Sequence, residues 1–153
     1  MSADAGDPAG AYWARRELAC ALSLGASGLI YAQASIELLI DHEFWLHRAD
    51  FTDAFITMDT SVASTQAFID WRAAIAALNA GQLPCSGGEA RMLSIAASIA
   101  GAVPVDLSDA LTGLDRSNIA LVATAVLHAS GLHDQVVTPR PDIPPDHRGA
   151  VQQ

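Results

Sequence analysis

Between Ile36 and Arg48 the chain reads Ile-Glu-Leu-Leu-Ile-Asp-His-Glu-Phe-Trp-Leu-His-Arg. Wound as an α-helix, this run is apolar on nearly every side, through Ile36, Leu38, Leu39, Ile40, Phe44, Trp45 and Leu46. A helix apolar on most sides has to be buried, so other helices must surround it. Its polar residues form one narrow stripe, because Glu37, Asp41 and Arg48 fall within about 40° of one another at 3.6 residues per turn. The reading is a central helix from Gly28 to Arg48, with Ile40, Phe44 and Leu46 buried and the stripe at the solvent edge. The sharper alternative makes Glu37 and Asp41 an acid/base pair lining a pocket, with Arg48 as their counter-charge.

The rest of the chain offers helices to pack around it. Ala11 to Leu24 reads as a first helix, followed by the break Gly25-Ala-Ser-Gly28. Asp50-Phe-Thr-Asp53 places a cap and an acid in the first turn of a short helix carrying Phe51, Phe55 and Met58. After a loop from Asp59 to Ser64, Phe68, Trp71, Ile75 and Leu78 line one face of a helix from Thr65 to Ala80, stopped by Gly81. Ser86-Gly-Gly-Glu89 fits the capping box, in which the two side chains reciprocally satisfy free N–H groups at a helix start. The helix behind it carries Met92, Ile95, Ala96, Ile99 and Val103 on one face and ends at Gly101 and Pro104. Asp106 or Ser108 caps a short helix through Leu111. Asp115 caps a last one through Ser130, with Ile119, Val122, Val126 and Leu127 expected inward and His128 and His133 beside its C-terminal dipole.

These elements predict an all-α, single-domain bundle of about six or seven helices over residues 11–133, with disordered ends. Residues 1–10 are small and acidic. Residues 134–153 hold Pro139, Pro141, Pro144 and Pro145, which cannot continue a helix. That tail could present a P-x-x-P ligand through Pro141 and Pro144. All nine aromatic residues lie between Tyr12 and Trp71, so the first half should hold a bulky core and the second one of Leu, Ile, Val and Ala. Strand-like alternation is missing.

Charge narrows the function classes. Seventeen acids against eight bases leave a net charge of -9, and every base is an arginine. Without lysine there is no Schiff-base chemistry and no lysine-bearing phosphate loop. Without a basic run, nucleic acid is not an expected partner. The uncharged stretch from Leu18 to Ile36 is nineteen residues long but diluted by Gly and Ser, so no membrane span is expected. Cys20 and Cys85 are too few for a disulfide framework, and no secretory leader is evident, which together favour the cytoplasm.

Two motifs invite chemistry. His42-Glu43-Phe-Trp-Leu-His47 approaches the zinc motif H-E-x-x-H, but its histidines are five apart. That places them about 140° apart around a helix, too far round to share a metal. Neither a metal nor any other cofactor is expected. Cys85-Ser86-Gly87-Gly88-Glu89-Ala-Arg91 matches C-x-x-G-x-x-R and resembles the phosphate loop of cysteine-dependent phosphatases. The resemblance implies a Cys85 nucleophile, with Ser86, Gly87, Gly88 and Arg91 cradling an oxyanion at a helix N-terminus. Here, however, Pro84 precedes the cysteine, Met92 follows the arginine and the upstream element is a helix where that family has a strand.

Across most of the ordered chain, Ile36-Glu-Leu-Leu-Ile40 with Trp45-Leu46, Leu83-Pro-Cys-Ser-Gly87 with Ala96-Ala-Ser98, and Asp109-Ala-Leu-Thr-Gly-Leu-Asp115 resemble small uncharacterised helical proteins of high-GC actinobacteria. The resemblance implies a helical fold and no activity. The expected function is therefore a non-enzymatic interaction or regulatory domain with an acidic helical surface. Its partner would be a protein, and self-association into a homo-oligomer is open to it. Two alternatives are a cysteine-dependent enzyme or oxyanion-binding protein acting through residues 85–91, and a small-molecule binder with an aromatic inter-helix pocket.

Overall fold

The computed structural model describes residues 8–61 and 63–132. The element order is α1 (Pro8–Gly25), α2 (Ile30–His42), a 3₁₀ turn (Trp45–His47), α3 (Ala49–Phe55), β1 (Ile56–Asp59), β2 (Gln66–Ile69), α4 (Trp71–Asn79), α5 (Gly87–Ile99), α6 (Leu107–Leu111) and α7 (Arg116–Ala129). The bundle is all-α, with one small hairpin added. α1 begins at Pro8, three residues before the start expected at Ala11. A proline suits that place because its fixed φ matches the first helical turn and its missing N–H would be unpaired there anyway. The proline-rich tail and His133 lie outside the described residues.

α2 is the central helix, packed against α1, α5 and α7. Ala34, Ser35, Ile36, Leu38 and Leu39 are buried on it. Leu46 is buried beyond its end, whereas Ile40 and Phe44 are only partly covered. The expected helix through Arg48 stops short. Glu43 turns left-handed (φ 55°) and closes α2 with its N–H on the Ile40 carbonyl, and the chain re-enters as the 3₁₀ turn. The change of direction drives Trp45 into the core, where it and Phe51 are wholly buried. Phe44, Trp45, Phe51 and Phe55 then stack in sequence, with ring centroids 5.1, 5.4 and 5.6 Å apart.

The helix expected over Thr65 to Ala80 also divides. Gln66–Ile69 is a strand, paired antiparallel with Ile56–Asp59 in the register Ile56↔Ile69 and Asp59↔Gln66. The Asp70 carboxylate accepts from the Ala73 N–H at 3.0 Å and starts α4 one residue later. Side chains alternate along the strand, so Ala67 is buried while Phe68 is largely exposed and is not on the α4 face. Two strands alone are marginal, and this pair lies against α1. A Cβ built on Gly25 would stand 2.2 Å from the Ala67 carbonyl oxygen, so only glycine permits that approach.

In the second half the caps form as expected. Ser86 and Glu89 make both bonds of the capping box, and Asp106 and Asp115 accept first-turn N–H groups of α6 and α7. The inward face of α7 differs from expectation. Val122, Ala125 and His128 are buried against the bundle, while Ile119 and Val126 point outward. α7 is apolar on several sides, so hydrophobicity alone does not choose its inner face.

Candidate functional site

The α4–α5 connection brings Pro84 and Cys85 to the N-terminus of α5. There an open pocket of about 420 Å³ is lined by Cys85, Ser86, Gly87 and Arg91 on one wall and by Val105 and Asp109 on the other. Cys85 and Arg91, six residues apart in the motif, thus meet at one site. Gly87 and Gly113 flank the arginine. A Cβ on Gly87 would lie 2.9 Å from Nη1 of Arg91, and one on Gly113 3.5 Å from the same atom. The guanidinium occupies a slot that two glycines leave open, and its Nε is buried without a hydrogen-bond partner among the described residues.

The loop does not present its N–H groups as a phosphate cradle does. The Ser86 N–H donates to Oε2 of Glu89 at 2.6 Å, and the Glu89 N–H donates to Oγ of Ser86 at 3.2 Å. Gly87 and Gly88 keep their first-turn donors free of that pairing. The Glu89 carboxylate, held over the helix start, opposes an incoming anion. It also acts on the thiol. Burial pushes the Cys85 thiol above its ordinary range, Glu89 pushes the same way, and Arg48 opposes both without prevailing. A nucleophilic cysteine needs the opposite balance, with positive charge holding it as thiolate.

Arg48 reaches this region because α2 ends early. Its Nη1 donates to the Pro84 carbonyl at 2.6 Å, its Nε donates to Oδ1 of Asp50 at 2.9 Å, and its guanidinium lies 5.1 Å over the Trp45 ring. The Asp50 bond raises the Arg48 pKa and lowers that of Asp50. The expected stripe is therefore corrected: Glu37 and Asp41 remain on α2, but Arg48 leaves it. Both carboxyl groups are exposed. Partial burial, with Glu37 and Glu43 nearby, raises the Asp41 pKa. Glu37 instead finds His128, whose Nδ1 lies 2.8 Å from Oε2 of Glu37 across the α2–α7 contact. His128, expected beside the helix end as a dipole partner, is buried.

The zinc-like sequence is split by the same turn. His42 ends α2, Glu43 is the left-handed cap and His47 closes the 3₁₀ turn. Among the described residues no group of three or more His, Cys, Asp or Glu could hold a metal ion. Four of the aromatic residues, Phe44, Trp45, Phe51 and Phe55, pack ring against ring in one row, Trp45 and Phe51 wholly buried. No helix among the described residues is long and apolar enough to cross a membrane.

A second concavity lies away from Cys85. Between α5 and α7, closed at one end by the start of α6, runs a groove of about 460 Å³ lined by Ile95, Ile99, Val105, Leu107, Val122 and Val126. Leu107 is 57% and Val126 53% exposed. The outward turn of Val126, which the sequence pattern did not reveal, creates this feature. Asp109, on the far wall of the first pocket, was likewise missed, since only the folding of α6 across α5 brings it there. No family model, curated protein or solved structure matches the chain.

Proposed function

We propose that this chain is a protein-interaction domain whose docking face is the α5–α7 groove, and that its partner contributes a basic amphipathic helix. The observation that carries this reading is the pair Leu107 and Val126, more than half exposed on a concave apolar surface. Large apolar side chains gathered at a groove between helices are the usual receptor for the apolar face of a partner helix. The partner's charge follows from the chain as a whole, whose net charge is -9, with Asp106 next in sequence to Leu107. An acidic receptor speeds encounter with a cationic partner and disfavours an acidic one.

Fluorescence anisotropy tests this with a labelled cationic amphipathic helix, an acidic peptide of the same apolar pattern, and a scrambled control. The cationic helix should bind, weaken as salt rises, and lose at least tenfold in affinity to Val126→Asp. Equal binding of all three peptides, or indifference to Val126→Asp, overturns the reading. If light scattering shows a concentration-dependent dimer that Val126→Asp dissolves, the groove serves a second copy of the chain instead. Cysteine catalysis is the weaker reading, because burial and Glu89 disfavour the Cys85 thiolate more than Arg48 favours it.

A further inference from the structure

Arg91 and Asp109 line the same open pocket, one from the second turn of α5 and the other from α6. Neither side chain has an ion-pair or hydrogen-bond partner among the described residues, and they do not bridge to each other. Two opposite charges thus face one cavity unneutralised. The arginine runs between two glycines: a Cβ at Gly87 would stand 2.9 Å from Nη1, and Gly113 (φ 93°) takes a conformation suited to glycine. Leu78, Leu83 and Val105 supply apolar lining beside the polar Asn79, Ser86 and Ser94, and about 420 Å³ lies within the range of small-molecule sites.

The charge pair selects its ligand by exclusion as well as attraction. A simple anion drawn to Arg91 meets the Asp109 carboxylate, and a simple cation drawn to Asp109 meets the guanidinium. A molecule carrying both charges satisfies both walls and leaves the net charge of the site unchanged. We propose that this pocket binds a zwitterionic small molecule of the free α-amino acid class, its carboxylate on the Arg91 fork, its ammonium on Asp109, and an apolar side chain against Leu78, Leu83 and Val105. Arginine suits the first contact because its planar fork matches a carboxylate with two parallel hydrogen bonds. The site shares only Val105 with the lining of the α5–α7 groove, and Arg91 and Asp109 line the site but not the groove.

Amide chemical-shift titration of the full chain provides the test, with leucine, methionine and glutamine at up to millimolar concentration, 4-methylpentanoate and isoamylamine as the two halves of leucine, and inorganic phosphate. At least one amino acid should shift Gly87, Arg91, Asp109 and Gly113. Each half-molecule should bind at least tenfold more weakly, and Arg91→Gln and Asp109→Asn should each cost at least tenfold while melting near the wild type. Should Arg91→Gln fail to fold, Arg91→Lys keeps the charge without the fork and is expected to weaken binding in a folded protein. No shift with any amino acid overturns the proposal. So does carboxylate or phosphate binding as tight as leucine, especially if Asp109→Asn strengthens it, since that describes a plain anion site.

Discussion

The indole N–H of Trp45 donates to the main-chain carbonyl of Glu89 at 2.9 Å, joining the turn after α2 to the first turn of α5 across 44 positions of sequence. Trp45 is wholly buried, with Phe44 and Phe51 against its ring and the Arg48 guanidinium over it. One side chain therefore fixes where the α2 break sits relative to the capping box that carries Cys85. Trp45→Phe keeps most of the apolar area but loses the donor, and is expected to cost about 1–2 kcal/mol. Trp45→Ala opens a cavity as well and should cost about 3–5 kcal/mol. Denaturant unfolding measures both, and Trp45→Phe should also shift the amide resonances of Ser86 to Ala90. A Trp45→Phe variant as stable as wild type would show that the hydrogen bond does not hold the two segments.

The break itself rests on Glu43, the one non-glycine residue with positive φ among the described residues. A left-handed conformation costs an ordinary L-residue about 1–2 kcal/mol, whereas glycine adopts it freely and loses somewhat more chain entropy on folding. Glu43 also adds negative charge next to Asp41, which burial already disfavours in its ionised form. Both effects have the same sign. Glu43→Gly should stabilise the fold by about 0.5–1 kcal/mol net. A drop in melting temperature would mean that the Glu43 side chain makes a contact worth more than the strain.

These two residues also mark what could be read in advance. Ser86, Glu89, Asp106 and Asp115 announce their helices because a cap is a local hydrogen bond between residues two or three positions apart, and all four act as caps in the fold. Cys85 and Arg91 meet at one pocket for the same reason, being on one helix start. Glu43 gives no such sign, since glutamate seldom turns left-handed and only the burial of Trp45 in distant α5 demands it. Phe68 misleads because it stands three residues before Trp71, a helical spacing, while its neighbours pair in a hairpin that α1 supports. The pattern places Ile119 and Val126 inside and reads His128 only as a partner of the helix dipole, whereas His128 is buried and the other two are exposed. The choice of face depends on Glu37, which reaches His128 from another helix. Local rules were legible, and tertiary exchanges between helices were not.

The contact between α1 and the hairpin gives a steric prediction. With its Cβ 2.2 Å from the Ala67 carbonyl oxygen, alanine at position 25 must push β2 away from α1. Gly25→Ala would ordinarily favour a helix end through its propensity, but overpacking of this kind costs about 1–3 kcal/mol. The expected outcome is a net loss of stability and faster amide exchange at Ala67 and Ile69. A stabilised Gly25→Ala protein would place the hairpin further from α1 than it is here.

His42 sets a pH dependence whose sign can be worked out. Its imidazole is half-buried at the end of α2, and Nδ1 has no hydrogen-bond partner among the described residues. Burial lowers its pKa below the ordinary 6.5; Glu89 and Asp115 pull upward but do not prevail. The unfolded chain therefore takes up this proton more readily than the folded one. Stability from the neutral imidazole is fully present above about pH 6.5 and is lost as pH falls below it, levelling off once the folded state is protonated too. His42→Leu abolishes this contribution and removes an unpaired buried nitrogen. Melting temperatures of the wild type and His42→Leu, taken from pH 7.5 down to pH 5.5, should diverge, the wild type falling faster. Parallel curves, or a wild type that gains on the variant as the solution is acidified, would show that the folded state accommodates the imidazolium, with Glu89 and Asp115 close enough to outweigh burial.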